Sequence, residues 1–149
     1  VICEATKNGK GPYYQYVVGG RVWEMTENQT NLTMVRGDEY GVRFQALYDG
    51  DPMPLTGAEL YFTAKWRFSD ADDDAVFQYT TADQIEVLDV DEGTFRVVID
   101  PDDTTGLPAR RTVLRYDVKV VTATDRPYTL VRGNLIVEPN VSIVPPPTP

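Results

Sequence analysis

The residues most able to do chemistry in this sequence are carboxylates, because histidine is absent and Cys3 is the only cysteine. The absence of histidine removes the commonest general base and the commonest metal ligand. A lone cysteine without a histidine to activate it is not a nucleophile, and it cannot form an internal disulfide. Neither Ser69 nor Ser142 lies in a nucleophile elbow. The sequence therefore predicts no enzyme, no catalytic residue and no cofactor, and a carboxylate pair that meets only in the fold is the remaining enzymatic alternative.

One acidic run has the spacing of a calcium loop. Asp70, Asp72 and Asp74 occupy alternate positions, as at the start of an EF-hand. The sixth position is Ala75, where the turn requires glycine, and the twelfth is Thr81, where a bidentate glutamate is required. A solvated acidic loop with no metal site is the preferred interpretation, and calcium binding at residues 70–74 stays open.

The tripeptide Arg36-Gly37-Asp38 matches the motif that integrins bind in adhesion proteins. An adhesive loop has to protrude on flexible flanks, whereas this triplet lies between two candidate strands. Gly37 allows a backbone kink and Asp38 favours a turn. The triplet is therefore interpreted as a strand boundary.

Charge is distributed unevenly along the chain. The net charge is −9 and the pI is near 4.4, which disfavours binding to nucleic acid. Residues 69–103 hold 12 of the 23 acidic side chains and a single basic one, Arg96. This acidic stretch is expected to steer docking onto a basic partner surface, or onto Arg110, Arg111 and Arg115 of a second copy. No run of 18 apolar residues is present, so no membrane association is expected.

Apolar and polar side chains alternate along most of the chain, as in strands with one buried and one solvated face. The apolar members of the four clearest runs are Tyr40, Val42, Phe44, Ala46 and Tyr48; Leu60, Phe62, Ala64 and Trp66; Phe95, Val97 and Ile99; and Leu114, Tyr116, Val118 and Val120. Shorter candidate strands cover 32–35, 76–80, 85–88 and 128–137. Seven or eight strands separated by turns rich in Gly, Pro and Asp predict an all-β fold, an antiparallel immunoglobulin-like β-sandwich with Trp66 in its core.

Three segments follow from these patterns. Residues 1–31 are interpreted as an N-terminal arm or hairpin with Gly19-Gly20 at its turn, which could pair with a neighbour's sheet edge. Residues 32–143 form the predicted β-sandwich domain. Residues 144–149 are a proline-rich tail or linker, because consecutive prolines cannot pair in a sheet. The arm supplies the predicted partner-binding residues Tyr13, Tyr14, Tyr16 and Trp23.

Several short motifs then follow one another in a distinctive order between residues 32 and 142. They are Val35-Arg36-Gly37-Asp38, Asp49-Gly50, Leu55-Thr56-Gly57-Ala58, Gly93-Thr94-Phe95, Pro101-Asp102-Asp103-Thr104, Tyr116-Asp117-Val118 and Gly133-Asn134-Leu135-Ile136-Val137. Their order resembles the immunoglobulin-like module of tailed-phage structural proteins, of the type at the N-terminus of phage baseplate upper proteins.

This resemblance implies a non-enzymatic virion protein, an adaptor or attachment module of the tail, baseplate or fibre apparatus. Its partners would be other virion proteins and further copies of itself, and its location would be the virion. Two alternatives stay open. One is a capsid decoration protein of the same fold. The other is a carbohydrate-binding host-adhesion module in which aromatic side chains, including Trp66, stack on sugar rings.

Overall fold

The computed structural model describes residues 2–5, 12–18, 21–24, 31–48, 51–81 and 83–141; of 2–24 and 47–48 only the backbone is described. The described part is all-β, with two short 3₁₀ turns at Asp72–Asp74 and Pro101–Asp103. Thirteen strands follow in chain order: β1 Ile2–Ala5, β2 Pro12–Val18, β3 Arg21–Glu24, β4 Leu32–Val35, β5 Tyr40–Gln45, β6 Leu47–Tyr48, β7 Asp51–Pro52, β8 Glu59–Lys65, β9 Phe77–Thr81, β10 Gln84–Asp89, β11 Thr94–Ile99, β12 Thr112–Val121 and β13 Pro127–Glu138.

The strands pair in one continuous order, β4-β13-β12-β8-β9-β10-β11-β5-β1-β2-β6-β7, with β3 paired to β2. The longest pairing joins β12 to β13, and β12 also pairs with β8. The pairing of β9 with β10 spans only two residue pairs, so it is the narrowest joint between β4 and β2 in this order. The sheet curves back on itself, and β2 approaches β13.

Inward-facing side chains from both sides of that joint belong to one hydrophobic cluster. Phe62 lies at its centre, fully buried, and stacks on Tyr116 with a centroid distance of 5.4 Å. Phe77 and Tyr79 on β9 stack beside it. On the other side of the joint, Phe44 stacks on Phe95 at 5.3 Å. The alternation in the sequence produces this core directly, because every second residue of a strand faces the same side.

The prediction of a wholly antiparallel sheet is wrong at three pairings. β1 pairs parallel with β5, β10 with β9, and β4 with β13. Alternation within one strand determines which face is buried, but it contains no information about the neighbour's direction. The sheet is therefore mixed.

The prediction that Trp66 belongs to the core is also wrong. Leu60, Phe62 and Ala64 are fully buried, but β8 ends at Lys65 and the Trp66 side chain is 46% exposed. The chain bends immediately after the strand, and Arg67 N donates to Asp70 Oδ2 in that bend. Ala64 is therefore the last inward-facing residue of this run, and Trp66 does not continue it.

The N-terminal strands belong to the same sheet as the rest of the chain. β1 lies between β5 and β2, and β2 pairs antiparallel with β3 in a hairpin register that sets Val18 opposite Arg21. The predicted Gly19-Gly20 turn, the Asp49-Gly50 motif and the proline-rich tail lie outside the described residues.

Two glycine turns close one end of the core. Leu55 is buried there, and Ala58 N donates to its carbonyl oxygen at 3.0 Å. Gly57 completes that turn with a φ of 70°, a value that favours glycine. Gly93 has a φ of 72° and packs against the backbone carbonyl oxygens of Ala46 and Met53. In the Leu55-Thr56-Gly57-Ala58 motif, a buried leucine is thus followed by a glycine turn.

Candidate partner-binding face

The outward-pointing side chains of β8, β9 and β12 surround an open depression of about 600 Å³. Its lining combines aromatic, cationic and acidic groups: Tyr61, Thr63, Lys65, Phe68, Asp72, Gln78, Arg115, Tyr116, Asp117, Lys119, Val121 and Pro127. We call this surface, together with the neighbouring Arg132 and Asn134 of β13, the charged face. Phe62 on β8 and Val118 on β12 point into the core, and the alternation of each strand turns their chain neighbours outward onto this face.

Strand register sets the order of charges on this face. Asp117 lies opposite Thr63 of β8 on one side and Arg132 of β13 on the other. On one side of the Asp117–Thr63 pair, Arg115 lies opposite Lys65. On the other side, Lys119 lies opposite Tyr61. Asp117 is therefore the central carboxylate of a surface whose other strongly charged sheet positions are cationic.

Burial in the depression raises the pKa of the Asp117 carboxyl group above its ordinary value. Lys119, Lys65 and Arg132 act in the opposite direction, because positive charge favours the carboxylate. Desolvation exceeds their attraction. The ionised carboxylate of Asp117 consequently lacks full solvation, which leaves it able to accept hydrogen bonds from a partner.

The acidic loop that resembles a calcium site is attached to the edge of the charged face. Lys65 Nζ lies 2.7 Å from Asp72 Oδ1 and donates to the carbonyl oxygen of Asp70 at 2.8 Å. The hydrogen bond from Lys65 lowers the pKa of Asp72. Within the described part of the chain, no three Asp, Glu or Cys side chains are grouped as metal ligands. In this loop the Asp72 carboxylate binds Lys65, and the Asp70 carboxylate accepts from the backbone N–H of Arg67.

The structure separates the three predicted arginines. Arg115 lies on the charged face and donates to Asn134 Oδ1 at 2.6 Å. Arg111 forms an ion pair with Glu138 at 3.1 Å, and Arg110 is exposed before β12 begins. Only Arg115 thus reaches the depression, because Arg110 and Arg111 precede the strand. The side chains of the predicted residues Tyr13, Tyr14, Tyr16 and Trp23 lie outside the described residues.

Sequence reasoning missed most of the residues on this face. Asp117 belongs to the sequence patterns only through the Tyr116-Asp117-Val118 motif, and Lys119 and the 56% exposed Phe68 belong to no predicted site. The usable signal was the alternation of Arg115, Asp117 and Lys119 beside that of Tyr61, Thr63 and Lys65. These two runs become neighbours only through the register between β8 and β12, and alternation within each strand does not determine that register.

The adhesion-like tripeptide does not form a protruding loop. It makes the turn between β4 and β5, in which Gly37 has a φ of 81° and Asp38 N donates to Val35 O at 3.1 Å. Gly37 N also donates to Thr104 Oγ1 at 2.9 Å. The interpretation of the triplet as a strand boundary is confirmed.

Comparisons with known proteins do not place the chain in a family. No protein-family model matches the sequence, and no curated protein matches it. Within the described residues, no helix has the length and apolar character to cross a membrane.

Three solved structures show distant similarity. The N-terminal domain of phage TP901-1 ORF48 has a TM-score of 0.43 at 12% identity, over 92% of this chain and 94% of that one. The periplasmic chaperone SfaE has a TM-score of 0.40 at 16% identity, over 80% of this chain and 58% of that one. Extracellular domains 3–5 of Drosophila OTK give 0.34 at 13% identity, over 96% and 39%. With every TM-score below 0.5, these similarities assign neither fold family nor function.

Proposed function

We propose that this chain is a non-enzymatic virion structural protein of a tailed phage, an adaptor or attachment module of the tail, baseplate or fibre apparatus. The observation that carries the protein-binding part of this proposal is the charged face. Four cations, Lys65, Arg115, Lys119 and Arg132, surround Asp117 there, in a chain whose net charge is −9. The phage assignment itself comes from the motif order between residues 32 and 142.

The strand order supports the finer fold assignment. β13, β12 and β8 are neighbours, as are β5, β11 and β10. Immunoglobulin-like sandwiches place their G, F and C strands together in one layer and their B, E and D strands in the other. We infer an immunoglobulin-like β-sandwich in which the charged face is the outer surface of the G-F-C layer.

The mechanism is docking by complementary charge. A partner with acidic groups meets Lys119 and Arg132, while its hydrogen-bond donors meet the carboxylate of Asp117. The protein's overall negative charge repels most other surfaces, which favours one orientation of approach. In the assembled virion the partners are other virion proteins or further copies of this chain, as is usual for repeated symmetric assemblies.

The location is tested on particles purified from the bacterium that carries the gene. Mass spectrometry should find the chain in intact particles at a fixed copy number, and immunogold labelling should place it on the tail. Absence from particles that are otherwise complete would refute the virion assignment. Labelling on the head would favour a capsid decoration protein instead.

The docking face is tested by charge reversal in the same particles. Lys119→Glu and Arg132→Glu should reduce incorporation of the chain at least about tenfold, because like charges at an interface cost several kcal/mol. Arg126→Glu makes the same change at an exposed turn residue that does not line the depression and should be incorporated normally. Equal incorporation of all three variants would exclude this face as the docking surface.

A carbohydrate-binding role is the second candidate, and one observation favours it. Phe68 is 56% exposed and lines the depression, where Asp117, Gln78 and Arg115 supply polar planar groups. Trp66, two residues earlier in the chain, is 46% exposed. Exposed aromatic rings next to such groups suit a sugar ring. Binding on a glycan array that is lost in both Trp66→Ala and Phe68→Ala would support this role, and an array without signal would remove it.

A further inference from the structure

Two arginines lie directly opposite each other on neighbouring strands. Arg43 of β5 and Arg96 of β11 are register partners, and both are exposed. Side chains in such positions start about 5 Å apart, and like charges there destabilise the pair. This arrangement is unfavourable in the isolated chain, so it calls for a physical explanation.

Within the described residues, no carboxylate forms an ion pair with either arginine. Glu86 of β10 lies opposite Arg96, yet the ion pairs within the described residues are Lys65 with Asp72 and Arg111 with Glu138. Arg96 is the only cation among residues 69–103, which carry 12 acidic side chains. Arg96 thus belongs to the most acidic part of the sequence, yet its register partner is a second arginine.

The two arginines line a second open depression, of about 450 Å³, together with Gly41 and Leu88. A side chain at position 41 would crowd Arg96, since a Cβ there would lie 3.2 Å from its Nε. Leu88 is 39% exposed and adds an apolar wall. The depression therefore combines two cationic groups with an aliphatic surface.

We propose that this depression binds a carboxylate side chain on an acidic peptide segment of a partner protein. Each guanidinium group provides paired N–H donors in the geometry that a carboxylate accepts. Leu88 and the bare backbone at Gly41 contact the aliphatic part of a glutamate.

This site is separate from the charged face. Arg43 and Arg96 lie on β5 and β11, beyond the narrow β9–β10 joint from β8 and β12. Failure of one surface leaves the other untouched, so the two proposals can be tested independently.

The test is an NMR titration of the ¹⁵N-labelled chain at constant ionic strength with N-acetylglutamate amide. Its neutral analogue, N-acetylglutamine amide, and inorganic phosphate are titrated in parallel. The Nε–H signals of Arg43 and Arg96 and the amides of Gly41 and Leu88 should shift saturably with the glutamate compound only. Arg43→Gln and Arg96→Gln should each weaken binding at least about fivefold, whereas Arg126→Gln, in an exposed turn, should not.

A second measurement separates binding from folding. In chloride buffer, Arg96→Gln should unfold at an equal or higher urea concentration than the unmodified chain, because the repulsion is removed. Addition of the glutamate compound should stabilise the unmodified chain and leave Arg96→Gln unchanged. Equal shifts with both amides, tighter binding of phosphate, or unaltered binding in both arginine variants would overturn the proposal.

Discussion

The guanidinium of Arg36 donates through Nη2 to the carbonyl oxygen of Thr105 at 2.7 Å, and through Nη1 to Asn140 Oδ1 at 3.2 Å. These bonds tie the β4–β5 turn to the loop after β11 and to the residues after β13. An adhesion motif would present this arginine to a receptor, but here its guanidinium forms hydrogen bonds within the protein.

Replacing Arg36 with alanine should lower the free energy of unfolding by about 1–3 kcal/mol, because its hydrogen bonds to two other segments are lost. Asp38→Ala changes an exposed side chain of the same tripeptide and should stay within about 0.5 kcal/mol. Urea unfolding followed by tryptophan fluorescence measures both. Equal losses in the two variants would contradict the anchoring role of Arg36.

Gly93→Ala should lower the free energy of unfolding by at least about 2 kcal/mol. Alanine is strained in the left-handed backbone conformation of this position, and its Cβ would clash with neighbouring atoms. A Cβ at this position would lie 2.5 Å from Met53 O and 2.6 Å from Ala46 O. Gly106→Ala is the matched control, because nothing lies within 4 Å of its Cβ position. A comparison of the two thermal midpoints makes the test, and a Gly93→Ala midpoint as high as the control's would rule out the clash.

Tyr79→Phe should cost about 1–2 kcal/mol through loss of the hydroxyl group alone. That hydroxyl donates to Asp103 Oδ2 at 2.5 Å and accepts from Asp100 N at 3.2 Å, which joins β9 to the turn after β11. Tyr61→Phe removes a hydroxyl from the charged face and should have a smaller effect. Urea unfolding of both variants provides the measurement, and a larger loss in Tyr61→Phe would count against this role for Tyr79.

Two aspartates on the charged face should give opposite pH dependences. Because the pKa of Asp117 is raised in the folded state, ionisation penalises folding above that pKa. Asp117→Asn should therefore raise Tm by no more than a few degrees at pH 7, since solvent screens part of the penalty. The advantage should shrink as the pH falls through the raised pKa and vanish below the unfolded value.

The folded-state pKa of Asp72 is lowered by Lys65, so its stabilising effect is present above the unfolded value. Asp72→Asn should slightly lower Tm at pH 7, and the loss should disappear as the pH falls below the depressed pKa. Thermal scans from pH 2 to pH 8 measure both variants. Shifts of the same sign at pH 7 would contradict the pKa directions.

Periodicity was sufficient to locate the strands of the main sheet. Residues 32–35 form β4 as predicted, and Tyr116 is buried where the alternation of β12 places it. Both follow from local rules, since the period of two and the solvent-facing partners lie within one short segment. Trp66 escaped the same rule because the end of β8 is set by the bend that follows it.

The two candidate surfaces could not be predicted from periodicity, for a different reason. Asp117 meets Arg132, and Arg43 meets Arg96, only through the register between strands distant in sequence. A shift of one residue would turn each of them to the opposite face. Side-chain types along a single strand do not determine that register.

The parallel pairing of β4 with β13 has a consequence for biosynthesis. Leu32 is aligned with Leu135, so at a typical elongation rate of about 5–20 residues per second several seconds pass before the ribosome supplies its partner. Throughout that interval the nascent chain exposes an unsatisfied hydrogen-bonding edge. Closure of this edge therefore waits until β13 has left the ribosome, and fast overproduction favours aggregation through the exposed edge.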